Sequence, residues 1–224
     1  MITAHQVSAT PAPAPGPTSP PAAMAATPPS AAPPVARAEI RMHAERSAPD
    51  EAEAILAAGL VAHVGFVQGG QPFVIPMTYQ YDPAEPKRLY LHGGHQSRLL
   101  EHLGTGAPVC VTVTLLDGLV YSKTALYHSV NYRSVVCFAR AGAAPAPERQ
   151  RAILDAMIAR CYPGRTVGVD YAPIPDAHLG ATAFVALEIE ERSAKVRRGG
   201  PKGPGDADPG VPGTAGVIPL QATP

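Results

Sequence analysis

The sequence predicts a mainly β domain, an antiparallel barrel with flanking helices, on three observations. β-branched and aromatic runs of strand length recur through the middle of the chain. Most are joined by turn-forming segments rather than by helices. Neither G-x-G-x-x-G nor G-x-x-x-x-G-K-[ST] occurs to announce a doubly wound nucleotide fold.

The elements follow in order. Ser47-Ala48-Pro49-Asp50 has the form of a capping box with proline in the first turn, so a helix should run through Ala58 and stop at Gly59. Residues 60–67 and 73–81 are strand-like runs on either side of Gln68-Gly69-Gly70-Gln71, which reads as a hairpin turn. A third strand, 89–92, follows an Asp-Pro turn and leads through Gly93-Gly94 into a short helix near 97–103. Two long strands, 109–116 and 131–141, flank a connection containing Asp117-Gly118. A second long helix, 148–160, ends at Pro163-Gly164, and 182–190 alternates as a last strand through Phe184, Val185, Leu187 and Ile189.

Composition limits how much of the chain can be core. Of the first 36 residues 21 are Ala or Pro and none is Asp, Glu, Lys or Arg, so 1–36 is expected to be a disordered tail. Residues 199–224 open on a Gly/Pro-rich stretch and end on an apolar patch, Val217 to Leu220, expected to dock on the body. The body, 37–198, has the size of one domain. Lys and Arg total 18 and Asp and Glu 18, so no net positive field exists to hold a nucleic acid. No apolar run is long enough to span a bilayer and no signal peptide is visible, which leads to the expectation of a cytoplasmic protein. Three cysteines with no C-x-x-C pair argue against both a disulfide framework and a zinc site, and the histidines form no H-E-x-x-H motif; no metal is expected.

Three segments could carry chemistry. In Leu89-Tyr90-Leu91-His92-Gly93-Gly94-His95-Gln96-Ser97-Arg98 a strand hands over to a helix whose first turn carries a hydroxyl and a guanidinium, a combination suited to a phosphate. The alternative is that Ser97 only caps the helix and Arg98 is solvated. His128-Ser129-Val130-Asn131-Tyr132-Arg133-Ser134 places polar groups at the start of an apolar strand, as at the mouth of a ligand site. Arg133 there is either a ligand contact or half of a structural ion pair. In Phe73-Val74-Ile75-Pro76-Met77-Thr78-Tyr79 a proline removes a ladder donor, marking an edge or bulge whose backbone can face a ligand.

These segments, in this order, resemble the flavin-binding split-barrel family related to pyridoxamine phosphate oxidase, near its nitroimidazole-resistance branch. Tyr162-Pro163-Gly164-Arg165, Ser193-Ala194-Lys195-Val196-Arg197 and Gly216-Val217-Ile218-Pro219-Leu220 extend the match. The resemblance implies a six-stranded antiparallel split β-barrel that forms a homodimer and holds FMN between subunits. It further implies that Ser97 and Arg98, followed by Leu99, bind the FMN phosphate. The backbone of Val74, Ile75, Pro76 and Met77 would line the flavin ring, and Asn131, Tyr132, Arg133 and Ser134 would finish the pocket. His92 aligns with a histidine near the cofactor and is the candidate residue on the substrate side. Two departures stand out. Ala139 replaces a common glycine, and the C-terminal arginine and histidine arrangement that holds a phosphorylated vitamer is not found, which argues against vitamin B6 synthesis. The expected activity is flavin-dependent oxidoreduction of a small molecule; the alternatives are a noncatalytic flavin binder or sensor, or a groove that takes haem or a deazaflavin.

Overall fold

A computed structural model describes residues 36–220. The expected tail, 1–36, falls outside these residues except for Ala36.

The first helix is α1 (Ala52–Ala58), entered through a 3-10 turn at Pro49–Glu51. Ser47 does not cap it. Its backbone forms an isolated bridge to Lys195, and Ala48 N donates to Ala194 O at 3.0 Å, so tertiary pairing replaces the expected capping box. Gly59 ends α1 where a side chain would not fit, since a Cβ there would lie 2.3 Å from Val113 Cγ1.

β1 (Val61–Gln68) and β2 (Gln71–Thr78) pair along their whole length, from Val61↔Thr78 to Gln68↔Gln71. The hairpin forms because Gly69 (φ 58°) and Gly70 (φ 79°) both adopt the left-handed conformation of a tight two-residue turn. The expected strand 73–81 is broken at Tyr79: β3 (Gln80–Tyr81) leaves β1 and pairs with β4 (Arg88–Gly94) instead. At this corner the Tyr79 carbonyl accepts from Arg160, which also donates to Gly59 O. The Tyr79 hydroxyl donates to Leu56 O at 2.6 Å inside the core.

α2 (Arg98–Gly104) is followed by β5 (Val109–Tyr121) and β6 (Ser129–Ala141). Asp117-Gly118 is not their connection. It is a bulge within β5, where the register against β6 slips between Leu116 and Gly118, and the chain reverses only after Tyr121. α3 (Pro147–Cys161) and α4 (Asp176–Gly180) lead to β7 (Thr182–Arg197), longer than expected because a register shift at Phe138/Ala139 lets it follow β6 to Tyr132. β8 (Gly216–Pro219) pairs with β5 through Gly118 to Tyr121.

Six long strands and the two short ones, β3 and β8, thus make one antiparallel sheet. Its order is β2-β1-β5-β6-β7-β4-β3, with β8 beside β5. The sheet curls until β2 packs on β4 through side chains without a ladder, with Gly93 beneath Met77 and Leu100. This is the split barrel. Alternate residues of the strands fill it, among them Val64, Val111, Val113, Val135 and Leu187, while Leu99 and Leu103 of α2 plug one end. Among the described residues no helix is long and apolar enough to cross a membrane.

Candidate functional site

α2 presents the first group. Backbone bonds from Ser97 N to Gly94 O (2.9 Å) and from Glu101 N to Ser97 O (2.9 Å) fix the entry into the helix. Burial of Leu99, Leu100 and Leu103 then leaves Arg98 on the exposed side. Ser97 stands at the N-cap, yet its side chain makes no capping bond. The Arg98 guanidinium lies 4.3 Å from the centre of the Phe73 ring. It has no hydrogen bond or ion pair with any described residue, although every other arginine meets at least one oxygen. A stacked, uncommitted guanidinium beside a free hydroxyl is equipped to receive an anion.

β2 supplies the second group. It is an edge strand, so the outer side of its backbone is unpaired. Val74 and Pro76 point outward, with Val74 66% exposed, whereas Ile75 and Met77 pack on the core. Pairing partners share a face, so this outer surface continues through His63 and Gly65 of β1, Thr112 and Thr114 of β5, and Ser134 and Val136 of β6.

The third group, Asn131 to Ser134, is largely engaged within the chain. Asn131 is buried; its Nδ2 donates to Gly199 O at 3.0 Å, and its Oδ1 accepts from Arg197 at 2.5 Å. Ser134 Oγ donates to Lys195 O at 3.3 Å. Arg133 is paired with Asp117, and hydrogen bonds to that carboxylate raise its pKa above the ordinary arginine value. Tyr132 is half-buried opposite Leu116. Arg98 and Phe73 lie toward the Phe66 end of β1, while Asn131 to Ser134 pair with the part of β5 beyond His63↔Thr112, where the β1–β5 ladder stops. One chain therefore does not bring the two groups together.

His92 is placed elsewhere again. Its ring is 5.8 Å from that of Phe184, its neighbour across β4 and β7, and burial pushes its pKa below the ordinary histidine value. Phe184 also lines a cavity of about 630 Å³ shared with α3 and α4, together with His95 and Arg151.

A residue that motif reading passed over is His63. The β1–β5 ladder ends at His63↔Thr112, and past that point a cavity of about 500 Å³ opens between the strands. Leu60, Val61, His63, Leu116, Arg133 and Leu220 contribute to its wall. The strand alternation was the available signal: Ala62, Val64 and Phe66 turn inward, which puts His63 on the opposite face. Among the described residues no cluster of three or more His, Cys, Asp or Glu side chains could hold a metal ion. Burial pushes the Cys137 thiol up to about 12, which removes it as a nucleophile at neutral pH.

Comparison with known proteins decides the family. A sequence model described as pyridoxamine 5'-phosphate oxidase matches residues 48–196, from just before the 3-10 turn Pro49–Glu51 through nearly all of β7. The chain belongs to the pyridoxamine 5'-phosphate oxidase family. Among solved structures, the FAD and heme binding protein from Mycobacterium smegmatis is 31% identical with a TM-score of 0.68, over 78% of this chain and 84% of that one. The flavocytochrome Anf3 from Azotobacter vinelandii is 32% identical with a TM-score of 0.72, over 84% of this chain and 86% of that one. A protein from Bacteroides thetaiotaomicron, described in terms of 5-nitroimidazole antibiotic resistance, is 23% identical with a TM-score of 0.54, over 66% of this chain and 84% of that one. At that identity it speaks for the fold alone. No curated protein sequence matches the chain.

Proposed function

We propose that this member of the family is a flavin-binding oxidoreductase that acts as a cytoplasmic homodimer on a small-molecule substrate. The uncommitted Arg98 guanidinium over Phe73, beside the free Ser97 hydroxyl, carries the reading. Together they would take the phosphate of the flavin mononucleotide moiety, which FMN and FAD share. The unpaired edge of β2 at Val74 to Met77 would lie along the ring. A second copy would supply Asn131 to Ser134, since one chain keeps the two groups apart. The exposed apolar side chains on the outer face, Val61, Val74 and Leu116, support such a partner surface. Three free cysteines agree with a reducing compartment.

A bound flavin supplies hydride and electron transfer, and the chain's own part is to hold its anionic end, orient its ring and exclude water. The absorption spectrum of the purified protein tests this reading. Paired near-ultraviolet and blue bands are expected, and extraction then identifies FMN or FAD. Anaerobic bleaching by NADH or NADPH separates an oxidoreductase from a binder, and a colourless protein that takes up neither flavin would refute the proposal.

A second reading, that the protein also binds haem, is favoured by the wall of the 500 Å³ cavity, where the His63 imidazole stands among Leu60, Val61, Leu116 and Leu220 with Arg133 nearby. The relatives from M. smegmatis and A. vinelandii, described as a heme binding protein and a flavocytochrome, point the same way. An imidazole in an apolar wall is a fitting iron ligand, and an arginine suits a propionate. Reconstitution with haemin should give a Soret band that shifts in His63→Ala; a band identical in the variant would remove His63 from the reading.

A further inference from the structure

At the end of β7 remote from α2 lies a cleft of about 350 Å³ whose wall includes Arg46, Arg197, Arg198 and Lys202 together with Glu45 and Glu51. Four cations against two carboxylates leave an excess of two positive charges, in a chain whose formal net charge is zero. The pairing within the cleft is uneven. Glu51 is used by Arg198, which grips it through two bonds of 2.7 and 2.6 Å. Glu45 takes a bond from His43 Nδ1 at 3.1 Å and reaches Arg46 Nε only at 3.6 Å, with its side chain 68% exposed. Arg46 therefore makes no hydrogen bond with a described residue, although its side chain is only 28% exposed.

Arg197 is the more telling group. Among the described residues its one bond, 2.5 Å to Asn131 Oδ1, is to a neutral amide, and no carboxylate answers its charge. Burial, with the nearby charge of Arg46, holds its pKa below the ordinary arginine value. Among the described residues Lys202 has no partner, and the Ser47 hydroxyl, also in the wall, makes no hydrogen bond. Two part-buried guanidiniums that repel each other are unfavourable unless a counter-anion joins them.

We propose that this cleft is a binding site for a phosphate-bearing small molecule, held by Arg46, Arg197 and Lys202. The donors come from three segments: the 3-10 turn Ala44–Arg46, the end of β7 and the loop after it. Donors converging from separate walls suit a phosphate, whose oxygens point in several directions, better than a planar carboxylate. The cleft is also larger than one phosphate ion needs, which leaves room for the group that carries it. It is separate from Arg98 within the chain, because β7 pairs Thr182 with Gly94 near α2 and Arg197 with Tyr132 at its other end. Fifteen residue steps of extended strand amount to roughly 50 Å of chain between them. The inference thus goes beyond the flavin reading, but because Arg197 holds Asn131, a residue that reading lends to the flavin of a second copy, the flavin content of each variant is read beside its anion affinity.

Calorimetric titration of the full chain, as purified, with inorganic pyrophosphate, phosphate and acetate in a low-salt buffer tests it. Pyrophosphate is expected to bind more tightly than phosphate, and acetate not to bind. Arg197→Gln and Arg46→Gln should each weaken pyrophosphate by at least about tenfold. Arg46 and Lys202 lie outside the buried core cluster, so Arg46→Gln and Lys202→Gln keep the test decisive should Arg197→Gln fail to fold. Absence of heat at millimolar pyrophosphate, equal binding of acetate, or undiminished affinity in Arg46→Gln and Lys202→Gln would overturn the proposal. So would release of bound flavin by pyrophosphate, which would assign the cleft to the flavin.

Discussion

Arg133 and Asp117 meet side-on at the β5 bulge, with Arg133 Nε 2.9 Å from Asp117 Oδ2 and Arg133 NH2 2.7 Å from Oδ1. This two-point contact gives Arg133 the structural ion pair that the sequence names as one of its two roles. The pair is about one-quarter exposed, with side-chain values of 27% and 29%, so its worth lies between that of surface and buried pairs. Arg133→Ala should lower unfolding free energy by about 1 to 2 kcal/mol, mainly by leaving Asp117 unpaired. The Arg133→Ala/Asp117→Ala double variant should lose less than the sum of the single losses in urea unfolding. Strict additivity would show that the contact is energetically idle.

Arg98 is predicted to behave in the opposite way. It supports no ion pair, and its contact with Phe73 contributes at most about 1 kcal/mol at an exposed position. Arg98→Ala should therefore leave the thermal midpoint of the flavin-free protein nearly unchanged. Flavin affinity, read by fluorescence titration, should fall by about 2 to 3 kcal/mol if the guanidinium meets a charged phosphate. Full retention of affinity would move the phosphate site elsewhere.

The contrast between these two arginines shows what the sequence could and could not convey. Local signals were legible: Gly69-Gly70 makes the hairpin, Val109, Val111 and Val113 alternate into the core, and Ser97-Arg98 opens a helix. Long-range partners were not. Asp117-Gly118 carries turn chemistry, yet Arg133 on the neighbouring strand holds the aspartate while β8 runs close to the glycine, with Ile218 O 3.1 Å from where its Cβ would be. The polar stretch Glu190-Glu191-Arg192 hid the second half of β7, because its compensation comes from Arg37, Arg140 and Glu53, all distant in sequence. His63 escaped notice because a cavity made by diverging strands leaves no motif.

Acid should weaken the fold in two stages. Burial lowers the pKa of His92 below its ordinary 6.5, so the unfolded chain binds that proton more readily. His92 therefore adds destabilisation as the pH falls below about 6.5. The Tyr90 hydroxyl first, and then Arg149 and Arg88, hold Glu85 below its ordinary 4.5, and Arg149 holds Asp82 below 3.8. For these carboxylates the stabilisation is complete above the unfolded values and disappears as the pH drops through the lower folded ones. Urea midpoints measured from pH 7.5 to 3 should show both stages, with His92→Gln flattening the upper and Glu85→Gln the lower. A profile unaltered by either change would mean that these groups titrate alike in both states.

Association through the outer face can be separated from folding. Val74 is 66% exposed on an edge strand, so an aspartate there meets only water in the isolated chain, whereas in a dimer that covers this face it would bury a charge against Val61, Leu116 or their counterparts. Light scattering of the parent protein should give twice the 23.2 kDa chain mass, and Val74→Asp should shift the distribution toward the single chain at micromolar concentration. If the flavin site draws on both copies, the same substitution should release flavin without touching Arg98, and restoring the dimer at high protein concentration should restore the yellow colour. A dissociated variant that kept its flavin would show that Asn131 to Ser134 of a second copy are not needed, and would return the whole site to one chain.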